Sequence, residues 1–167
     1  MPVVHVRIDN RLIHGQIMIA WSKKIRVDRI IVANDKVAAD PMQQTLLKAV
    51  APSGVKVSVL GVKACAEACR GDAAQKESIF IIAKVPEDVV GLVEAGLPLT
   101  EVNLGNAAYA PDTRKVSKTV YLTEPQARAM VKLHQMGLRI TSQMIPSEPD
   151  VEYWPTIEKA IGDWATG

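Results

Sequence analysis

The stretch RIDNRLIHGQ, residues 7–16, gathers Arg7, Asp9, Arg11 and His14 into one short connection. These residue types suit the handling of an anion. Arg7 and Arg11 would make charge-assisted hydrogen bonds to phosphate-like oxygens. His14 adds a nucleophile, because an imidazole is partly neutral near pH 7 and attacks as the free base. A phosphoryl group carried on it would need positioning and charge stabilisation more than further covalent chemistry, so no metal is required in principle. Asp9 would repel phosphate unless it pairs with an arginine or orients the imidazole, and orientation is the preferred reading. The residue set by itself also fits a plain solvated turn, since a single histidine after a strand is usually only that.

The surrounding elements decide between these readings. VVHVRI (3–8) is rich in β-branched residues and reads as a strand. GQIMIAWSKK (15–24) reads as a helix with Ile17, Trp21 and Ile25 on one face and lysines at its end. RIIVAND (29–35), VKVSVLG (55–61), SIFIIAK (78–84), TEVNLGN (100–106), RKVSKTVYLT (114–123) and LRITSQMI (138–145) read as further strands. Helices are expected after Asp40, over 62–70, over 86–96, after Thr123, and in the tail around Pro155. SIFIIAK is almost continuously apolar, the pattern of a strand buried on both faces. This alternation predicts an α/β fold: one domain with a doubly wound, mainly parallel sheet. Ligands of such sheets bind beyond the carboxyl ends of the strands, near the point where strand order reverses. Residues 9–14 hold that position, and the helix start at Gly15 and Gln16 adds free N–H groups and a partial positive charge.

Composition removes several function classes. With 48% hydrophobic and 23% charged residues, the chain resembles an ordinary globular domain rather than a disordered one. A formal charge of +2 with dispersed basic residues, and only 4% aromatics, gives no nucleic-acid footprint. MPVVHVRIDN lacks the basic and long apolar regions of a signal peptide, and no apolar run reaches the length of a membrane span. Neither a G-x-G-x-x-G after the first strand nor a Walker A pattern is present, so nucleotide binding loses its usual motifs.

Other residues invite weaker readings. Cys65 and Cys69, four apart on one helix, suit apolar packing better than metal ligation. His5 reads as a packed strand residue, and His134, Lys23, Lys24 and Arg26 as charges favourable near helix C-termini. Ile19 lies opposite Ile17 and Trp21 on the helical wheel and would suit either a docking surface or a neighbouring helix. Asn34 and Asp35 either support the loop or cap the next segment.

RIDNRLIHGQ, followed by an apolar helix with Trp21, resembles the phosphorylation-site motif of IIB subunits of the sugar phosphotransferase system, mannose/fructose/sorbose family. RIIVANDKVAADPMQQTLLKAVAPSGVKV, VPEDVVGLVEAG and VNLGN extend the resemblance over about residues 3–145. It implies a seven-stranded, mainly parallel sheet and a protein that takes a phosphoryl group from a IIA phosphohistidine. The group would pass to a sugar imported through the membrane subunits IIC and IID. His14 matches the phosphorylated histidine, which family members modify on Nδ1. Arg7, Asp9 and Arg11 match the polar positions of its loop, with Arg7, Arg11, Gly15 and Gln16 around the phosphate. No cofactor or metal is implied. Localisation at the cytoplasmic face of the membrane follows, and homo-oligomer formation is left open. Asn10 stands where many members have a second acidic residue, and GNAAYAPDT lacks the methionine and Gly-Lys pair expected after the fifth strand. Asn103 and Asn106 are candidates to line the site. A non-catalytic regulatory or scaffold protein of the same fold is the alternative.

Overall fold

The strand of highest apolar density takes a central place in the sheet. In the computed structural model, which describes residues 2–166, β4 (Ile79–Ala83) is buried at every position. It lies between β1 (Val3–Asp9) and β2 (Arg29–Ala33), and the order continues outward through β3 (Lys56–Leu60) on one side. On the other side follow β5 (Glu101–Asn106), β8 (Arg139–Ser142) and β9 (Val151–Glu152). All pairings in this seven-stranded sheet are parallel except β8 with β9.

Helices cover both faces, as right-handed crossovers in opposite directions require. On one face α1 (Gly15–Lys24), α2 (Asp35–Ala38) and α3 (Pro41–Ala49) place Ile17, Met18, Trp21, Val37 and Leu47 over Ile30, Val32, Phe80 and Ile82. On the other face lie α4 (Val62–Arg70), α5 (Pro86–Glu94), α6 (Glu124–Gln135) and α7 (Trp154–Ile161). They place Cys65, Val89, Leu92, Met130 and Ile157 against Ile31, Ile79, Ile81 and Ala83. Burying each such aliphatic side chain contributes about 1.5–3 kcal/mol before chain entropy is counted. The chain reverses its direction of travel across the sheet beside β1, so the carboxyl end of β1 opens at a topological switch point.

Several boundaries differ from the expectations. RKVSKTVYLT is not one strand. It forms β6 (Arg114–Lys115) and β7 (Tyr121–Leu122), an antiparallel hairpin outside the main sheet. Strand β2 stops at Ala33 because the Asn34 side chain caps α2 through Val37 N–H at 2.9 Å. Strand β8 stops at Ser142, and residues 143–148 fold back over β1 instead of extending the sheet. The helix starts were legible. Asp40 accepts from the N–H groups of Met42 and Gln43, and Thr123 forms a capping box with Gln126. Cys65 and Cys69 are free, buried packing residues.

Candidate functional site

Strand alternation divides the β1 side chains. Val6 and Ile8 enter the α4–α6 core, while His5, Arg7 and Asp9 project beneath α1 and residues 143–144. Arg7 is only 1% exposed. Its Nη1 donates to Asn103 Oδ1 at 2.8 Å and to the carbonyls of Gln143 and Met144 at 3.0 and 3.3 Å. Nε and Nη2 each donate to Asp9 Oδ2 at 3.3 Å. Every guanidinium nitrogen is therefore occupied by the protein itself. The expectation that Arg7 holds phosphate oxygens is corrected: its side chain knits β1, β5 and the 143–144 segment together. Burial lowers its pKa from the ordinary value, opposed by the Asp9 carboxylate.

Asp9, equally buried, also receives Arg11. Arg11 Nε and Nη2 form a two-pronged contact with the two carboxylate oxygens, each at 3.0 Å, and the Arg11 N–H adds a third bond at 3.0 Å. No bond links Asp9 to His14 among the described residues, so the expected orientation acts on Arg11 and not on the imidazole. Arg11 is exposed, and its Nη1 makes no hydrogen bond among the described residues. Of the two arginines, this one presents donors to solvent.

The loop then turns sharply. Leu12 N–H bonds Asp9 O at 2.9 Å, and Leu12 adopts φ 63°, left-handed backbone that costs a side-chain-bearing residue about 1–3 kcal/mol. Its side chain is buried with Ile13, which anchors the loop. Asn106 Nδ2 bonds Asn10 Oδ1, and Asn10 N–H bonds the Asn106 carbonyl at 3.2 Å, so the end of β5 braces the same turn.

His14 is exposed at the N-cap of α1, and its side chain makes no cap bond. The first ladder bond runs from Met18 N–H to the His14 carbonyl at 3.0 Å. The N–H groups of Gly15, Gln16 and Ile17 precede that ladder and face the loop end of the helix. An anion bonded to the His14 ring would thus meet a helix N-terminus, with Arg11 three residues earlier in the same connection.

This geometry stands beside clear relatives. A sequence model of the family described as the PTS system sorbose subfamily IIB component matches residues 3–164. The chain belongs to this family. The match runs past residue 145 and includes α7. The sorbose-specific EIIB component of Lacticaseibacillus casei is 33% identical over 97% of this chain and 99% of its own length. The fructose-specific EIIB component of Bacillus subtilis (strain 168) is 36% identical over 92% of this chain and 94% of its own. The solved IIBSor domain of the sorbose permease from Klebsiella pneumoniae superposes with a TM-score of 0.89 at 32% identity, covering 95% of this chain and 98% of that one. The mannose-specific EIIAB component of Escherichia coli (strain K12) matches at 35% identity, and this IIB chain spans 49% of it.

The remaining candidates separate from the IIB site. Asn34 and Asp35 are structural: Asn34 Nδ2 donates to both Asp88 carboxylate oxygens, and Asp35 accepts from Val62 N–H at 2.8 Å. His134 stacks on Trp154 at 4.3 Å. Ile19 is 46% exposed and borders an open groove with Gln16, Lys23 and Pro146. Sequence reasoning named Asn103 and Asn106 but missed Gly105 and Met144. The polar end of VNLGN was the signal for the asparagines, but nothing in the sequence marked Met144.

His5 stacks on Trp21 at 4.3 Å and meets Phe80 at 4.9 Å. Burial, helped by the Arg7 charge, pushes its pKa from 6.5 down to about 4. Between those values the unfolded chain binds a proton that the folded chain refuses, so stability falls as pH falls through that window. His5→Phe keeps the stack and removes the proton. Urea unfolding at pH 7 and pH 4.5 should show the wild type losing about 2 kcal/mol more than the variant on acidification. Equal losses would dismiss His5 as the source.

Proposed function

We propose that this IIB component accepts a phosphoryl group on His14 from a phosphohistidine of a IIA protein or domain. It then passes the group to a sugar entering through the membrane subunits IIC and IID. The observation that carries the reading is the exposed His14 at a helix N-terminus, three residues after the Asp9-held Arg11. In the first step the unprotonated ring nitrogen of His14 gives its lone pair to phosphorus. The donor's P–N bond breaks, and its electron pair returns to the donor ring nitrogen. In the second step a sugar hydroxyl attacks the same phosphorus. Its proton is released to water as the ester bond forms, and the P–N pair goes back to His14. Arg11 and the N–H groups of Gly15 and Gln16 hold the phosphoryl oxygens as charge moves through them. Asp9 keeps the Arg11 fork in place, and Arg7 keeps Asp9 in place. No described helix is long and apolar enough to cross a membrane. The proposed site of action is the cytoplasmic face, against IIC and IID. The names of the relatives support this reading: sorbose, fructose and mannose systems each include an EIIB or EIIAB component.

Mass spectrometry after incubation with a phosphorylated IIA tests the reading. One acid-labile phosphoryl group is expected on His14, absent from His14→Ala. Stable phosphorylation of the alanine variant would overturn the assignment.

A further inference from the structure

One lysine differs from all the others. Lys84 is partly buried, whereas every other lysine of the chain is exposed. It nevertheless has no carboxylate within ion-pair distance among the described residues. Withdrawing an ammonium from water without a partner is unfavourable, so an arrangement of this kind calls for an anion that is not part of the chain.

Its place in the fold points to which anion. Lys84 follows the last residue of β4, directly beside the carboxyl end of β1, where Ile8 pairs with Ala83. Phe80 and Ile82 of β4 face α1, and Lys84 comes two residues after Ile82, just past the strand end at Ala83. Helix α1 runs back along the strands, with Trp21 against Phe80 at 6.1 Å between ring centroids. From that contact, His14 lies seven residues towards the helix start, about 10 Å at 1.5 Å per residue. Lys84 lies four residues further along the strand, about 13 Å at 3.3 Å per residue. Both therefore end at the same edge of the sheet, and the lysine carries its ammonium on a flexible four-carbon stem.

The backbone there is fixed as well. Lys84 N–H donates to Asp88 Oδ2 at 3.0 Å, and that carboxylate is held in turn by Asn34 and by Val85 N–H. These bonds occupy the Asp88 carboxylate, and the Asp9 carboxylate is already taken by two arginines.

We propose that Lys84 is a second cationic ligand of the phosphoryl group on His14, reaching it from β4 while Arg11 reaches it from the β1 loop. The proposal rests on the reading of His14 as the phosphoryl carrier. The P–N bond forms and breaks as described above, and Lys84 stays an ammonium throughout, exchanging no proton. It neutralises the oxygens in the transition state and favours the dianionic phosphoryl form.

Wild type, Lys84→Met and Lys84→Arg are compared in two measurements: rapid-quench transfer from a phosphorylated IIA, and 31P NMR titration of the phosphohistidine. Circular dichroism should show all three folded alike, since the ammonium makes no ion pair. Lys84→Met is expected to slow transfer about tenfold and to raise the pH at which the phosphorus resonance titrates, because the dianion loses a neighbouring cation. Lys84→Arg should restore most of both. Wild-type transfer in Lys84→Met overturns the inference and leaves the proposed function standing. Slowed transfer with an unmoved titration also overturns it, since a merely structural role would do that. Failure of wild type itself to carry phosphate on His14 removes the functional reading and this one with it.

Discussion

Asp9→Leu should destabilise the domain by about 3–5 kcal/mol, while Arg11→Met should cost about 1 kcal/mol or less. The two substitutions break the same salt-bridge cluster but leave different charges behind. Removing Asp9 strands the Arg7 guanidinium, which is 1% exposed and retains only neutral acceptors in Asn103, Gln143 and Met144. Removing Arg11 leaves Asp9 still paired with Arg7, and Arg11 itself is about one-third exposed. Urea unfolding of both variants at pH 7 measures the difference. Asp9→Asn should fall between them, since its amide oxygen still accepts. Equal costs for Asp9→Leu and Arg11→Met would show that the buried pair does not dominate the cluster. In transfer assays Asp9→Asn should lose activity as well, because the Arg11 fork loses its ionic partner.

Gly105→Ala is the second large effect, and it acts through space alone. A Cβ at Gly105 would lie 2.2 Å from the Arg7 guanidinium, at both Cζ and Nη2. The glycine has no left-handed backbone to preserve, so alanine is acceptable to the chain there. Arg7 cannot swing aside without breaking its bonds to Asp9, Asn103 and the carbonyls of residues 143–144. Overpacking and the loss of charge-assisted bonds together should cost about 3 kcal/mol or more. A double-mutant cycle with Arg7→Met isolates the cause. In the Arg7→Met background the alanine should cost far less, because the group it strikes is gone. Additive costs would place the strain elsewhere. Both variants should also disturb phosphoryl transfer, since Arg7 supports the strand end from which the His14 loop departs.

Much of the fold could be read from short windows. Helices α3, α4 and α6 begin and end near caps, proline or glycine, because such punctuation is settled by residues a few positions apart. The central strand was legible because a segment buried on both faces has no room for polar residues. RKVSKTVYLT and LRITSQMI were misjudged for the opposite reason. Their β-branched residues favour extended backbone anywhere, and only the available partners decide whether that backbone joins the main sheet, forms a hairpin or turns away.

At the site, the sequence by itself determined that an arginine-rich turn with one histidine follows the first strand and opens a helix. That much depends on spacing along ten residues. Tertiary structure decided what each charge does. Arg7 and Arg11 look alike in RIDNRLIHGQ, yet one sits within a strand and points beneath residues 143–144, while the other sits in the turn and faces water. The cover over Arg7 arrives from residues more than a hundred positions away, and Asn103 from 96 positions away. Lys84 is brought to the same edge by the pairing of β4 with β1. A guanidinium's chemistry is fixed by its type, but its accessibility is a property of whatever packs upon it, and in this chain that comes from distant segments.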